Sequence, residues 1–565
     1  LKNNYNGAVT LKKILGLSLL LTLSLASCYI HADEKIASEI AKGEKQSAGP
    51  GDKMVLLIVT DGLKEDLLER LMEAGDLPNF KKYIYTDAAV SRCALTSAPS
   101  ITYSNLAALV TGQYGSHSGV AGMKYMFRRE LIYRRYDRYG DFWAVNQDCT
   151  SPTIMEALHD QYTYVNFFLL YRGADHYARM FYNSLRAHVF DRWDLHDAAC
   201  CDIIAQVFEE CHKKAGRFPR FTILYLVTPD LYAHRYGPES EEYREYLKYI
   251  DGQLGLMFNR LEKIGVLKDM LIVHASDHGM MTVDPAAKFD LRAAMTKDLG
   301  MKIADSDIPN DLLWKERLDR YNYFNAVVTI SGDRYAYIYL ASEPPNRFRS
   351  VNLFANPLPL ERIRDYEVSK GRRIDMVAAL LKYDAVEHVL ARKNETTVAV
   401  FHRSGEAEIE RKIVDGVKTY RYKVLSGEDL FGYNHTEKAS RMSGDAFYTA
   451  EEWLDATRET EFPDAVVQCI EVFDSRDRVG DLIVYARPGY ELDPEHEHKG
   501  AHGGLHRGEM RIPLALKGPG IRACYFGPVR SVDVMPTILD YLGYRDRLEK
   551  LQNLDGASFL DKIDN

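Results

Sequence analysis

Nowhere in its 565 residues does the chain hold 18 consecutive apolar positions, so no segment reads as a membrane-spanning helix. It has no excess of basic charge. The formal net charge is −9, and because residues 1–27 contain Lys2, Lys12 and Lys13 but no acid, the remainder carries −12. Counterion-release binding to DNA or RNA needs a basic face, so no specific nucleic-acid binding is expected. Eight cysteines occur, but no CxxC pair, and Cys200, Cys201 and Cys211 lack the spacing of a zinc knuckle. The cysteines read as structural, with no pairing legible. Internal repeats and low-complexity tracts are also missing.

What the chain does have begins at its N-terminal end. Lys12-Lys13 precede an apolar run from Ile14 to Leu25, followed by Leu25-Ala26-Ser27-Cys28. A basic segment, a short apolar segment and small residues before a cut define a secretory signal. The quartet resembles a bacterial lipoprotein box, which implies cleavage before Cys28, lipid on its thiol and a place in the bacterial cell envelope. Residues 1–27 are therefore expected to be a signal peptide, and the polar 28–52 stretch a tether.

From Lys53 to about residue 284, strands and helices alternate. Three apolar runs end in acidic or histidine residues: Met54–Thr60 before Asp61, Thr222–Val227 before Asp230 and His234, and Leu271–Ala275 before Asp277-His278. Continuous apolar runs suit buried parallel strands, and open α/β sheets bind ligands at the carboxyl ends of their strands. Clustered carboxylates repel one another unless cations lie between them, and two divalent ions are the simplest candidates. Between residues 285 and 462 the texture changes. Runs such as Arg334–Leu340 and Thr396–Phe401 predict half-exposed antiparallel strands of an α+β insertion or cap. The α/β pattern is expected to resume over 463–565, with Gly480–Ala486 and Arg511–Lys517. The fold class is thus α/β, a mainly parallel sheet flanked by helices with a large insertion.

Ala98-Pro99-Ser100-Ile101-Thr102-Tyr103-Ser104-Asn105 places a turn before an apolar helix, with Thr102 near the helix N-terminus. Exposed N–H groups there favour a phosphate and a more acidic hydroxyl. In order along the chain, Asp61, Thr102-x-x-Asn105, Asp230-x-x-x-His234, Asp277-His278-Gly279, Gly500-Ala501-His502-Gly503 and the closing Val532–Gly543 segment resemble the alkaline phosphatase superfamily. Within it they are most similar to the type I phosphodiesterase/nucleotide pyrophosphatase branch. The resemblance spans roughly residues 54–559, with the insertion unmatched.

That resemblance implies an alkaline-phosphatase-like fold and a metal-dependent hydrolase with two Zn²⁺, Mn²⁺ also being tolerated. One ion would be held by Asp61, Thr102, Asp277 and His278, the other by Asp230, His234 and His502. Thr102 would be the nucleophile, and Asn105 would hold a phosphoryl oxygen through its amide. The substrate would be a small phosphodiester or nucleotide-like molecule. His506 competes with His502, whose flanking glycines fit the family pattern better. His496 and His498 read as exposed loop residues, His117 as a supporting residue, His274 as a core histidine and Ser104 as a helix-cap or turn residue. No Cys-x-Pro-x-Arg occurs, against formylglycine sulfatase chemistry. No Lys-x-Arg pair lies between Tyr162 and Arg192, while Lys370-Gly371-Arg372 falls out of order in the insertion. A doubly charged monoester needs more positive charge than a diester, so diester or pyrophosphate substrates are favoured. A phosphomonoesterase, a phosphoryl-group transferase or an inactive surface-binding relative are the alternatives.

Overall fold

A computed structural model describes residues 34–138, 141–178, 187, 192–304, 308–346, 348–493, 498–551 and 553–564. Cys28 and the expected signal peptide lie outside them. Residues 34–42, within the stretch that reads as a tether, are helical, and Ile36, Ala37 and Ile40 are buried in the main core. The spacing of these apolar residues gives this polar segment one stripe to dock.

The first sheet has eight strands, in the spatial order Cys524–Phe526, Ala89–Ser91, Leu514–Lys517, Met270–Ala275, Met54–Thr60, Phe221–Leu226, Thr163–Asn166 and His176–Ala178. Its neighbours pair in parallel except at Leu514–Lys517, which runs antiparallel to both of its partners. The mainly parallel sheet expected from the apolar runs is present. Met54–Thr60 is buried along its whole length, as a strand covered on both faces must be. It is flanked by Phe221–Leu226 and Met270–Ala275, with Thr60 opposite Leu226 and Val59 opposite Ala275. Three adjacent parallel strands therefore end together at one edge, and the residues that follow them converge.

Helices Glu65–Ala74, Trp193–Ala215 and Glu241–Lys263 accompany this sheet. The last buries Tyr246, Ile250, Leu254 and Phe258 at helical spacing, and Ser240 Oγ caps it by accepting from the amide of Tyr243 at 3.2 Å.

The inserted region builds a second sheet of nine strands, antiparallel apart from the pairing of Ile303–Ala304 with Ala326–Ser331. Two expectations are corrected here. Tyr335–Leu340 and Thr397–His402 are antiparallel but not half-exposed. Every residue of Tyr335–Leu340 is buried, with Tyr335, Tyr337 and Tyr339 facing the main core and Ala336, Ile338 and Leu340 facing a second one. Alternation of tyrosine with aliphatic residues resembles a polar/apolar pattern, yet both faces are covered. Leu482–Ala486 does not resume the first sheet. It is an interior strand of the second, antiparallel to Tyr335–Leu340 and to Val386–Arg392. Of the eight cysteines, the seven described are free thiols, six of them buried.

Candidate metal centre and catalytic site

Asp61 leaves the end of its strand, and Asp277-His278 leave the neighbouring one. Asp230 and His234 sit one turn apart on the helix Thr228–Tyr236, which puts both on one face. Their ligand atoms form two compact groups, Asp61 with Asp277 and His278, and Asp230 with His234 and His502. In the first, His278 Nε2 lies 3.3 Å from Asp61 Oδ1 and 3.7 Å from Asp277 Oδ2. In the second, Asp230 Oδ1 lies 3.5 Å from His234 Nε2 and 3.8 Å from His502 Nε2. The groups adjoin, because the rings of His278 and His502 stack with centroids 3.7 Å apart.

The hydrogen-bond pattern fits metal ligation. Each of the three imidazoles faces a backbone carbonyl through Nδ1, His234 that of Gly500 at 2.7 Å, His278 that of Gly279 at 2.9 Å and His502 that of Ser100 at 2.7 Å. With Nδ1 donating, Nε2 presents a lone pair to its carboxylate cluster, the arrangement that fixes the tautomer of a ligating histidine. Asp61 Oδ1, Asp230 Oδ1 and Asp277 Oδ2 are buried without any hydrogen-bond partner. Burial, then repulsion from Asp277 and Asp230, pushes the Asp61 carboxyl well above its usual range, and burial also raises Asp277. Burial and the neighbouring His278 and His234 depress His502. Orphaned carboxylate oxygens facing imidazole lone pairs form a donor set of hard oxygen and borderline nitrogen that suits Zn²⁺.

Thr102 is the first residue of the helix Thr102–Thr111, and its Oγ1 lies 3.1 Å from His278 Nε2. The hydroxyl therefore faces the first cluster from a helix N-terminus. Ser104 is buried inside that helix with its side chain toward Gly115, away from the clusters.

Asn105 differs from expectation. Its Oδ1 accepts from the amide of Ser97 at 2.8 Å, and its Nδ2 donates to the carbonyls of Ser97, Pro99 and Ile101 at 3.1, 3.0 and 3.2 Å. An amide wholly engaged with the 97–101 turn has nothing to offer a phosphoryl oxygen. Asn105 is a positioning residue, holding the turn that presents Thr102. Asn105→Asp is accordingly expected to reduce turnover about 10- to 100-fold and to lower the unfolding midpoint, because it places a carboxylate against three carbonyls. A KM increase with unchanged stability and kcat would instead mark a substrate contact.

The competing histidines are accounted for. His506 has both nitrogens engaged, Nδ1 with Glu461 at 2.8 Å and Nε2 with Glu387 at 2.7 Å, so neither is left for a metal. His274 is buried between Thr60 and Tyr85, and burial lowers its pKa to about 3, making it a neutral core residue. His117 lies beyond the far end of the Thr102 helix, bonded to Asp474 and Asp555. Burial opposes its charge, but those carboxylates prevail and hold its pKa at about 9. His496 is outside the described residues. His498, expected in an exposed loop, is half-buried, with Nδ1 2.6 Å from Asp333 Oδ2 and its ring 4.6 Å from that of His234.

Several site residues carry no signal in the sequence. Tyr225, inside an apolar strand, donates its hydroxyl to Asp61 Oδ2. Asp333 and Arg334 form the turn between two strands of the second sheet, and this turn grips the His502 segment. The amide of His502 donates to the Gly332 carbonyl at 2.9 Å, and Arg334 and Glu509 make a fully buried ion pair at 2.5 Å. Glu509 Oε1 also accepts from the amide of Gly504 at 3.1 Å. Nothing in the sequence places the Gly332–Arg334 turn beside His502.

Two candidate cation clusters at the carboxyl edge of a mainly parallel sheet, with a threonine at a helix N-terminus facing the first of them, are set in an alkaline-phosphatase-like fold. A family model described as type I phosphodiesterase / nucleotide pyrophosphatase matches residues 55–506, and the chain belongs to that family. Human bis(5'-adenosyl)-triphosphatase ENPP4 is 29% identical over 129 residues, 23% of this chain and 27% of that protein. Human ectonucleotide pyrophosphatase/phosphodiesterase family member 7 is 39% identical over 64 residues, 11% of this chain and 14% of the relative. The matched stretches thus span under a third of these curated relatives. Among solved structures, human ectonucleotide pyrophosphatase/phosphodiesterase 5 aligns with a TM-score of 0.53 at 14% identity, over 90% of this chain and 98% of that one. The murine protein gives 0.52 at 15%, over 91% and 99%. At that identity the likeness is one of fold.

Proposed function

We propose that this chain is a metal-dependent hydrolase that cleaves phosphodiester or pyrophosphate bonds through a phospho-threonine at Thr102. The observation that carries the reading is the Thr102 hydroxyl 3.1 Å from His278 Nε2, beside buried carboxylate oxygens with no other partner. Asp61, Thr102, Asp277 and His278 would hold one Zn²⁺, and Asp230, His234 and His502 a second. When bound, these ions would supply positive charge that favours the ionised hydroxyl and offsets charge on the reacting phosphoryl oxygens.

The remaining work falls to the chain. The helix N-terminus favours negative charge at Thr102 Oγ1 and offers N–H groups to a phosphoryl oxygen. Thr102 Oγ1 attacks phosphorus as the bond to the leaving oxygen breaks, and the hydroxyl proton is lost to solvent. Water then attacks the phospho-threonine, restoring the hydroxyl and releasing the phosphoryl product. Tyr225, hydrogen-bonded to Asp61, and Asn105, holding the 97–101 turn, keep carboxylate and nucleophile in register.

A diester preference fits the state of the cations of the 162–192 stretch and the insertion that are among the described residues. Arg172 pairs with Glu156 and Arg192 with Asp194, while Lys370 and Arg372 belong to an exposed hairpin. A murine ectonucleotide pyrophosphatase/phosphodiesterase 5 structure, of an inactive variant, holds AMP, which makes a nucleotide-like ligand a reasonable first substrate. Metal-loaded enzyme assayed side by side should turn over a chromogenic phosphodiester at least tenfold faster, in kcat/KM, than the matching monoester. The reverse order would point to a phosphomonoesterase, and no turnover of either to an inactive relative.

We further infer that Cys28 becomes a lipidated mature N-terminus, anchoring the enzyme to the bacterial cell envelope. The wild-type chain is expected to partition into the detergent phase, and Cys28→Ser to leave it or to stay unprocessed. Unchanged partitioning of that variant would refute the anchor.

A further inference from the structure

The end of the second sheet remote from the metal clusters carries a cavity of about 300 Å³, lined by Arg129, Arg392, Lys393, Arg476, Asn356 and Asp477. Strand Val386–Arg392 connects the two ends. Near its start, Glu387 holds His506, four residues from His502, and Arg392 lies about 16 Å further along at the usual strand rise.

The cations of this cavity are unequally satisfied. Lys393 pairs with Glu408, and Arg476 Nη2 pairs with Glu395 at 2.8 Å. Arg392 is half-buried and donates to the carbonyl of Phe473, and no carboxylate meets it among the described residues. Arg129 likewise has no carboxylate on its guanidinium, since the 3.2 Å bond to Asp477 Oδ1 is made by its main-chain amide. The nearby acids are engaged elsewhere, Asp474 by Arg411 and His117 and Asp481 by Arg128 at 3.1 Å. Burial, reinforced by the charge of Arg476, lowers the Arg392 pKa to about 10, the behaviour of a cation short of a counter-charge. Guanidinium groups present planar forks that match the oxygens of phosphate. The cavity is at the small end of ligand pockets, which run from about 300 to 1,000 Å³, and suits a phosphate group with a short ester substituent.

We propose that this cavity is a second anion site, binding a small soluble phosphate or phosphomonoester through Arg129 and Arg392. It stands apart from the catalytic reading, and its test uses protein from which metal has been removed by chelation, so that the acidic clusters repel rather than attract phosphate. Calorimetric titration of the full chain with inorganic phosphate, and separately with glycerol phosphate, should show saturable binding. Arg129→Gln should weaken it at least tenfold, and the Arg129→Gln/Arg392→Gln double variant should abolish it, while Arg392→Lys should retain part of it. Unfolding midpoints establish that each variant is folded. Should the double variant not fold, Arg129→Gln alone decides, because that side chain is exposed. Equal phosphate affinity in wild type and Arg129→Gln would overturn the proposal. So would equal affinity for chloride, or arginine-dependent sedimentation with anionic vesicles in the absence of phosphate binding.

Discussion

Thr102→Ala is expected to lower turnover by several orders of magnitude while the second cluster, Asp230 with His234 and His502, still binds its ion. The hydroxyl is the one group at the helix N-terminus placed to attack, and it lies 3.1 Å from His278 Nε2. Thr102→Ser should recover part of the activity, because the hydroxyl remains but the β-methyl that restricts its rotamer is gone. Two successive in-line displacements also require overall retention of configuration at phosphorus. Acid quenching during turnover, followed by phosphopeptide mapping, should place phosphate on Thr102. Phosphate on Ser104, or inversion at phosphorus, would sink the assignment even if the metal clusters were correct.

Asp277→Asn should lose activity to a comparable degree by a different route. Asp277 Oδ1 already accepts from the amides of Gly62 at 3.1 Å and His278 at 3.0 Å, leaving Oδ2 for a cation. An asparagine can keep those two bonds but presents a neutral amide where a charged ligand is needed. Elemental analysis should fall from about two ions per chain to about one, given the usual three or four protein ligands per zinc. The effect on stability has the opposite sign in metal-free protein. There burial opposes both charges, and repulsion from Asp277 and Asp230 adds to it at Asp61, so removing the Asp277 charge is expected to leave the apo variant at least as heat-stable as apo wild type. Fully active protein without bound metal would discard the centre altogether.

The strand-end acids were legible because three apolar runs, each followed by Asp or Asp-His, obey a rule of parallel sheets, and the structure makes those strands adjacent. Thr102 was legible from the turn before an apolar helix. Asn105 stands on the helix the sequence predicts but meets its own preceding turn, since whether an amide faces a ligand or that turn depends on side-chain direction. His498 reads as exposed because its acidic and basic neighbours in sequence suggest solvent, while the residue that engages it, Asp333, comes from the distant turn before Tyr335–Leu340. Leu482–Ala486 joins a different sheet from the one its sequence suggests for a related reason. An apolar strand looks the same whether its partners are parallel or antiparallel, and only the pairing decides.

Both sheets also owe an interior strand to the last sixth of the chain. Leu482–Ala486 lies between Tyr335–Leu340 and Val386–Arg392, and Leu514–Lys517 between Ala89–Ser91 and Met270–Ala275. During synthesis, neither sheet can close until those late segments have left the ribosome, and pairing over such sequence separations is intrinsically slow. A nascent chain lacking its final hundred residues would leave an open edge on each of the four strands that flank the missing ones, and would carry no His502. Premature termination should therefore yield an aggregation-prone fragment rather than a smaller working enzyme, and a chain that closes this late stays threadable through a translocation pore for most of its synthesis.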